Sequence, residues 1–263
     1  MKTTPNNSAD NNFVKRDHLV SFLDTTLATG AIKDVSRNGL QVQGGEEIQR
    51  IALTVDACME AYKQAVASGC QMLIAHHGII WDGLRSITGS VYNHLKYLLD
   101  NDLNLYASHL PLDLHPSLGN NAKLAEMLGL LALKPFGWYK GMQIGFEGTL
   151  NEPVSIDAIS RILTKHLDCR VSMLPFGTNN IKRVAVVSGG AAGELQEAIN
   201  KGVDLFITGE SSHENYHAAL EAEINVIYCG HYHSEKGGVR ALGELITEKF
   251  GIETVFLDIP TTI

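Results

Sequence analysis

Two histidines stand side by side in Ala75-His76-His77-Gly78, at the end of the apolar run Met72-Leu73-Ile74. Far along the chain, His231 and Glu235 lie four residues apart in Gly230-His231-Tyr232-His233-Ser234-Glu235. Between these, His109-Leu110-Pro111-Leu112-Asp113 repeats the spacing of a histidine and a carboxylate. Imidazole and carboxylate are ligands for first-row transition metals. On a helix, residues four apart share a face with Cβ atoms about 6 Å apart, so His231 and Glu235 can grip one ion together. Pro111 predicts a loop over 109–113 rather than a helix. On that loop Asp113 is a terminal ligand or a bridge between two ions, and His109 a ligand or an acid/base group. Successive strand residues point to opposite faces. His76 and His77 can therefore serve one centre only if the strand has ended and Gly78 lets the chain turn.

Three histidines (His76, His77, His231) and two carboxylates (Asp113, Glu235) are too many for one open tetrahedral zinc, which takes three protein ligands. They suit two divalent ions about 3.5–4 Å apart that share a carboxylate and a water. With no thiolate in the set, Fe, Zn, Mn and Co all fit, and the ligand types do not choose among them. Glu210, in Thr208-Gly209-Glu210, is a candidate general base or support for a ligand, and His233 a candidate acid/base or substrate group. The Gly-rich turn Ser188-Gly189-Gly190-Ala191-Ala192-Gly193 reads first as a tight strand-to-helix connection, with free N–H groups at the helix start as a candidate phosphate contact. It is neither a Walker loop nor a full dinucleotide fingerprint. His115, His213 and Glu214 read as solvent-facing groups, and His217 as part of the following helix. No Ser or Cys sits in a recognisable nucleophile elbow, which argues against covalent acyl chemistry.

The elements that position these residues occur twice. Ile48–His77 falls on Ile181–Glu210 without a gap, and most apolar positions stay apolar. Each stretch reads as strand, helix, strand: Arg50–Val55, Met59–Ser68 and Met72–Ala75, then Arg183–Val187, Glu194–Lys201 and Asp204–Thr208. Gly69 and Gly202 supply the helix stops. Another helix precedes each stretch, Asp17–Ala28 and Ser155–Leu167, with strand candidates Leu40–Val42 and Arg170–Leu174. Asn104-Leu-Tyr-Ala-Ser-His109 resembles Asn225-Val-Ile-Tyr-Cys-Gly-His231, again an apolar strand ending in a histidine with a carboxylate four residues on. Short apolar strands alternating with helices predict an α/β fold with mostly parallel sheets. The expected arrangement is an internal duplication of two similar α/β units with the metal site between them, since α/β sheets build sites at the carboxyl ends of strands. The boundaries follow: a disordered tail over 1–12, a first repeat over 13–135 and a second over 136–263, which are free to intertwine in space.

Bulk properties narrow the function further. A chain of 263 residues with 44% apolar residues has enough material for a full core. A net charge of -8 argues against a broad nucleic-acid surface. Four scattered cysteines with no Cys-x-x-Cys form no disulfide framework and fit a reducing cytoplasm. Residues 1–12 lack the apolar stretch of a signal peptide, and no apolar run is long enough to span a bilayer.

Four motifs in this order, Ala-His76-His77-Gly, Ser-His109-Leu-Pro-Leu-Asp113-Leu-His-Pro-Ser-Leu-Gly-Asn-Asn, Thr-Gly-Glu210 and Gly-His231-Tyr-His-Ser-Glu235, closely resemble the GTP cyclohydrolase 1 type 2 family, also called the NGG-interacting-factor-three-like family. The resemblance covers nearly all of the chain after the tail. It implies metal ligands at His76, His77, Asp113, His231 and Glu235, all five matching in residue type. It also implies two similar α/β units around a dinuclear centre, and a toroidal homohexamer. The expected activity is metal-dependent hydrolysis of a small molecule by a metal-bridged hydroxide, with a nucleotide among the candidates. For GTP the attack falls on C8 of guanine, opening the ring and releasing formate, with His109, Glu210 or His233 moving protons. The alternatives are a metal-dependent phosphoesterase or amidohydrolase, and a non-enzymatic metal-binding or regulatory assembly.

Overall fold

A computed structural model describes residues 12–83 and 86–261. Residues 1–11 of the expected disordered tail lie outside the described residues. Asn12 is tethered, its side-chain amide donating to the carbonyls of Phe250 (3.0 Å) and Gly251 (2.9 Å). In chain order the strands are β1 (Val14–Lys15), β2 (Gly39–Val42), β3 (Glu47–Ile48), β4 (Arg50–Asp56), β5 (Met72–His77), β6 (Asn104–Ala107), β7 (Leu131–Tyr139), β8 (Met142–Val154), β9 (Ser172–Pro175), β10 (Ile181–Val187), β11 (Leu205–Thr208), β12 (Asn225–Tyr228) and β13 (Glu253–Phe256).

They build a mixed α/β fold around two large sheets, ordered β13-β4-β5-β6-β2 and β7-β8-β10-β11-β12-β9, plus a small antiparallel pair, β1-β3. The centre of each large sheet is parallel. In the first, β13, β4, β5 and β6 run together and β2 closes the edge antiparallel. In the second, β10, β11 and β12 run together and β9 closes the edge antiparallel. The order β2-β6-β5-β4 is thus matched by β9-β12-β11-β10. The central strands are short, continuous apolar runs because both of their faces are buried. The helices Met59–Ala67 and Leu195–Lys201 stop where expected, since Gly69 and Gly202 take left-handed φ of 69° and 61°.

Two features break the matched pattern. The hairpin β7-β8 adds antiparallel strands to the second sheet, and the 135/136 division falls inside β7. The cores also interlock. Leu124 and Ala125 of helix Asn120–Met127 pack under the second sheet with Val184 and Ile207. Val239, Leu242 and Ile246 of helix Lys236–Phe250 return to the first sheet and pack with Leu19, Ile51 and Ile74. Among the described residues, no helix is long and apolar enough to cross a membrane.

Candidate metal centre

The parallel strands of both sheets deliver polar residues at their carboxyl ends, where α/β sheets form sites. β4 ends on Asp56 and β5 on His77, and His109 lies just past β6. Opposite them, Ser188 and Gly189 follow β10, Glu210 follows β11, and His231 follows β12. The strand does not end before the histidine pair, as the alternation of faces had suggested. β5 runs through His77, whose neighbour in register is Asp56. Both rings still reach one carboxylate, with centroids 4.5 Å apart and planes tilted by 45°. Gly78 is not in the left-handed region that a turn would use. It is needed for close approach, since a Cβ there would come within 2.6 Å of the Ala107 methyl.

The segment 110–113 also departs from expectation, forming a short helix, Leu110–Asp113, instead of a loop. Pro111 falls in its first turn, where no amide donor is needed, so proline is tolerated. His231–Ser234 is helical as its spacing suggests, but the helix breaks at Glu235 (φ -110°, ψ 4°) before Lys236–Phe250 resumes.

Glu235 is at the centre. Its side chain is almost fully buried. Its Oε1 lies 3.5 Å from His76 Nε2, and its Oε2 lies 3.3 Å from His77 Nε2 and 3.1 Å from His231 Nε2. Asp113 Oδ2 approaches His76 Nε2 at 3.6 Å. Two metal-sized triads result, His76-Asp113-Glu235 and His77-His231-Glu235, with Glu235 common to both. A third group, His76-His77-His109, places His109 within ligating reach. Among the described residues, the buried atoms His76 Nε2 and Glu235 Oε2 have no hydrogen-bond partner. Such orphans are costly unless something occupies the space between them. That observation and the all-N/O donor set fit divalent transition metals.

The far nitrogen of every histidine in the cluster is braced. His76 Nδ1 is 2.9 Å from the Ser108 carbonyl, His77 Nδ1 2.8 Å from Asp56, His109 Nδ1 3.0 Å from Asp34, and His231 Nδ1 2.5 Å from Glu210. These acceptors fix each ring so that Nε2 faces the cluster, the arrangement typical of metal-binding histidines. Asp113 is braced as well, its Oδ1 accepting from Asn120 Nδ2 (2.8 Å) and Ser188 Oγ (3.3 Å). Asn120 in turn accepts from Gly238 N–H, which ties Asp113 to the helix that follows Glu235.

Charge is concentrated here. Burial works to lower the His76 pKa, but the charges of Asp113 and Glu235 overcome it and raise it to about 10. His231 follows the same balance: burial lowers it, Glu235 and Glu210 raise it more, and it reaches about 9. Burial would raise Glu235, yet His76 and His77 hold it well below the usual carboxylate range. Burial also opposes the charge on Asp34, and the His109 and Asn38 hydrogen bonds overcome that to keep its pKa low.

Thus the structure gathers His76, His77, His109, Asp113, His231 and Glu235, with Glu210 behind His231. His233 is elsewhere: its Nδ1 faces the Leu167 carbonyl (3.3 Å), and it lines a separate depression with Arg170 and Tyr228. His213, Glu214 and His217 are exposed. His115 is half-buried and accepts from the Ser117 and Leu118 amides, so it shapes a turn instead of facing water freely. The Gly-rich turn does more than connect a strand to a helix. Gly189 (φ 67°) lies directly on the Glu235 carboxylate, where a Cβ would collide with Oε1 and stand 3.2 Å from His231 Nε2. Asp34 and Asp56 went unnoticed in the sequence because neither has a metal-like partner at short spacing. Asp56 did carry one signal, its place at the end of a strand beside His77.

The cluster opens into a cavity of about 750 Å³ between the sheets, bordered by Trp81, Tyr139, Ile144 and the turn residues Gly190, Ala191 and Gly193.

Comparison with known proteins gives consistent matches over this architecture. The profile of the Duf34/NIF3 (NGG1p interacting factor 3) family matches residues 14–262. A protein of Pyrococcus abyssi named "GTP cyclohydrolase 1 type 2 homolog" is 47% identical over 94% of this chain and 99% of its own. One of the same name from Deinococcus radiodurans is 41% identical over 99% of both chains. The crystal structure of TTHA1606 from Thermus thermophilus superposes with a TM-score of 0.88 at 35% identity, covering 95% of this chain and 100% of that one.

Proposed function

Since the chain belongs to the Duf34/NIF3 family, we propose that it is a dinuclear metal protein acting as a metal-dependent hydrolase. The observation that carries this reading is Glu235, whose two oxygens face His76 on one side and His77 with His231 on the other. His76 and Asp113 would hold one ion, His77 and His231 the other, and Glu235 would touch both. Two divalent cations there would polarise water and a substrate oxygen.

The protein's own part is orientation and proton handling. Asp56, Glu210 and the Ser108 carbonyl keep the three ligand rings aimed. His109 sits at the cavity with Asp34 behind it, placed to take or give a proton at Nε2 while Asp34 holds the Nδ1 proton. The family context nominates GTP ring opening as the first activity to assay, since the relatives carry that name. An open cavity beside the cluster favours catalysis over metal storage, which needs no substrate space. A phosphoesterase or amidohydrolase fits the same machinery.

The duplicated strand order supports descent of both halves from one α/β unit. Exposed Leu131 and Leu133 on edge strand β7 support assembly into a homo-oligomer, with a hexamer expected. Four unpaired cysteines suit a reducing cytoplasm. The test is elemental analysis of purified protein, followed by assay of the reloaded apo form. About two transition-metal ions per chain and formate release from GTP support the full reading. Two ions with hydrolysis of other esters or amides keep the hydrolase and reject the nucleotide. Absence of bound metal rejects both.

A further inference from the structure

The cavity beside the cluster has a composition that bears on what enters it. Among the described residues, no Lys or Arg lines it. Asp56, Asp113 and Glu235 are on its wall, and Asp34 and Glu210 sit immediately behind His109 and His231. These five carboxylates already exceed the charge of two divalent ions, and Glu194 adds a sixth on the same wall. Lys140, at the hairpin tip 5.3 Å from the Tyr139 ring centre, offsets one of them. Among the described residues the loaded site therefore has no excess of side-chain cations to draw in a polyphosphate, and the helix start behind the Gly-rich turn already carries Glu194 in its first turn.

What the cavity does offer is flat apolar surface. Trp81 is fixed by its indole N–H donating to the Gly78 carbonyl (2.9 Å), and it meets His109 edge-on at 5.1 Å. Tyr139 is also on the wall, and the Gly-rich turn borders the same cavity with almost no side chain. Aromatic walls of this kind bind flat rings through stacking.

Building on the dinuclear hydrolase reading, we propose that the group entering this cavity is a flat, uncharged heterocycle, seated against Trp81 and Tyr139 with Glu194 accepting from a ring N–H, and not a polyphosphate. The protein contains two tryptophans, so Trp138→Phe leaves Trp81 as the sole indole reporter. In that background, metal-loaded protein is titrated with guanosine, adenosine and cytidine and with their triphosphates, following Trp81 emission. At least one nucleoside binds about tenfold or more tightly than its triphosphate, a difference of about 1.4 kcal/mol. Glu194→Gln and Tyr139→Ala each weaken that nucleoside without changing metal content, and Glu194→Lys narrows the gap to the triphosphate. A triphosphate that binds as tightly as its nucleoside, no saturable nucleoside binding, or affinity untouched by both substitutions overturns the proposal. Metal content measured on the same samples separates the two readings. Protein without ions sinks the dinuclear centre, whereas a triphosphate preference in protein carrying two ions sinks only the heterocycle.

Discussion

In the first sheet β4 ends on Asp56 and β5 on His77; at the aligned ends of β10 and β11 stand Gly189 and Glu210. Asp56 braces His77, while Gly189 has no side chain and leaves the space that the Glu235 carboxylate fills. His77 faces the cluster, while Glu210 stands one step back and braces His231. Only the third pair keeps its role type. His109 and His231 both follow a parallel strand, both present Nε2 inward, and both lean on a carboxylate. The strand ends are thus fixed scaffold points, while the residue on each is free to ligate, to support a ligand or to make room. One half supplies most of the imidazoles, the other supplies the shared carboxylate, and both line the cavity.

That contrast breaks most visibly at Glu235. Glu235→Ala removes the only residue common to both triads, so bound metal should fall from about two ions per chain to almost none. His76→Ala should empty the His76-Asp113 side while His77 and His231 retain an ion. Equal metal content in the two variants, read by elemental analysis, would mean that Glu235 is not shared.

The next effect belongs to Gly189. Alanine there must hold a left-handed φ and push aside a buried carboxylate. Strained positions of this kind cost about 1–3 kcal/mol. Gly189→Ala should lower the thermal midpoint and the metal content together, whereas alanine at Gly193, with nothing within 4 Å of an added Cβ, should do neither. A Gly189→Ala protein with normal metal content would break the contrast between the two strand ends.

Smaller changes sharpen the comparison of the braces. Removing a carboxylate behind a ligand histidine typically costs about 10–100-fold in metal affinity. Asp34 has a side chain only 1% exposed and Glu210 one 43% exposed, so water can replace Glu210 more readily. Competition with a metal chelator should place Glu210→Gln at the low end of that range. If His109 ligates, Asp34→Asn should fall at the high end, and if it only moves protons, Asp34→Asn should spare affinity and lower turnover.

The smallest effect is a pH dependence of the metal-free protein. The folded pKa values of His76 (about 10) and His231 (about 9) lie above the ordinary 6.5. Their contribution to stability is complete below pH 6.5 and fades as pH rises through 9 to 10. Glu235 lies below its ordinary value, so its contribution is present above about 4.5 and fades on acidification. The apo protein should therefore unfold at progressively lower temperature between pH 7 and 10. Metal displaces those histidine protons, so loading should stabilise the protein more at pH 8 than at pH 6. A flat apo profile, measured by calorimetry, would show that the histidines are not protonated as a charged cluster.

Much of this was legible in the sequence wherever local pattern and chemistry coincide. The strand–helix–strand units showed in short apolar runs and glycine stops, and His76, His77, Asp113, His231 and Glu235 showed in tight spacing at strand ends. Other features depend on tertiary placement. Asp34 reaches His109 from a loop far back in the chain, and no periodicity marks it. In the hairpin β7-β8 the apolar residues of β7 are largely exposed and β8 mixes polar with apolar residues, so neither carries a buried-strand signature. Pro111 suggested a break because its position within the helix, at the first turn, is visible only once the helix start is known. His233 shared a motif with two cluster residues, but its ring points the other way.

The return of β13 to the edge of β4, with helix Lys236–Phe250 packed over the first sheet, has a consequence for how the protein is made. A ribosome delivers the first sheet's other strands early, yet that sheet keeps an open edge and an uncovered face until residue 256 has emerged. Glu235 and His231 also arrive late in synthesis. Domains completed early can settle while the rest of a chain is still being translated; here, neither sheet is a self-sufficient early product. On the dinuclear reading, metal would load only after nearly the whole polypeptide is released, and a nascent chain stalled before the last helix would present His76 and His77 to the cell without the carboxylate that lies between them.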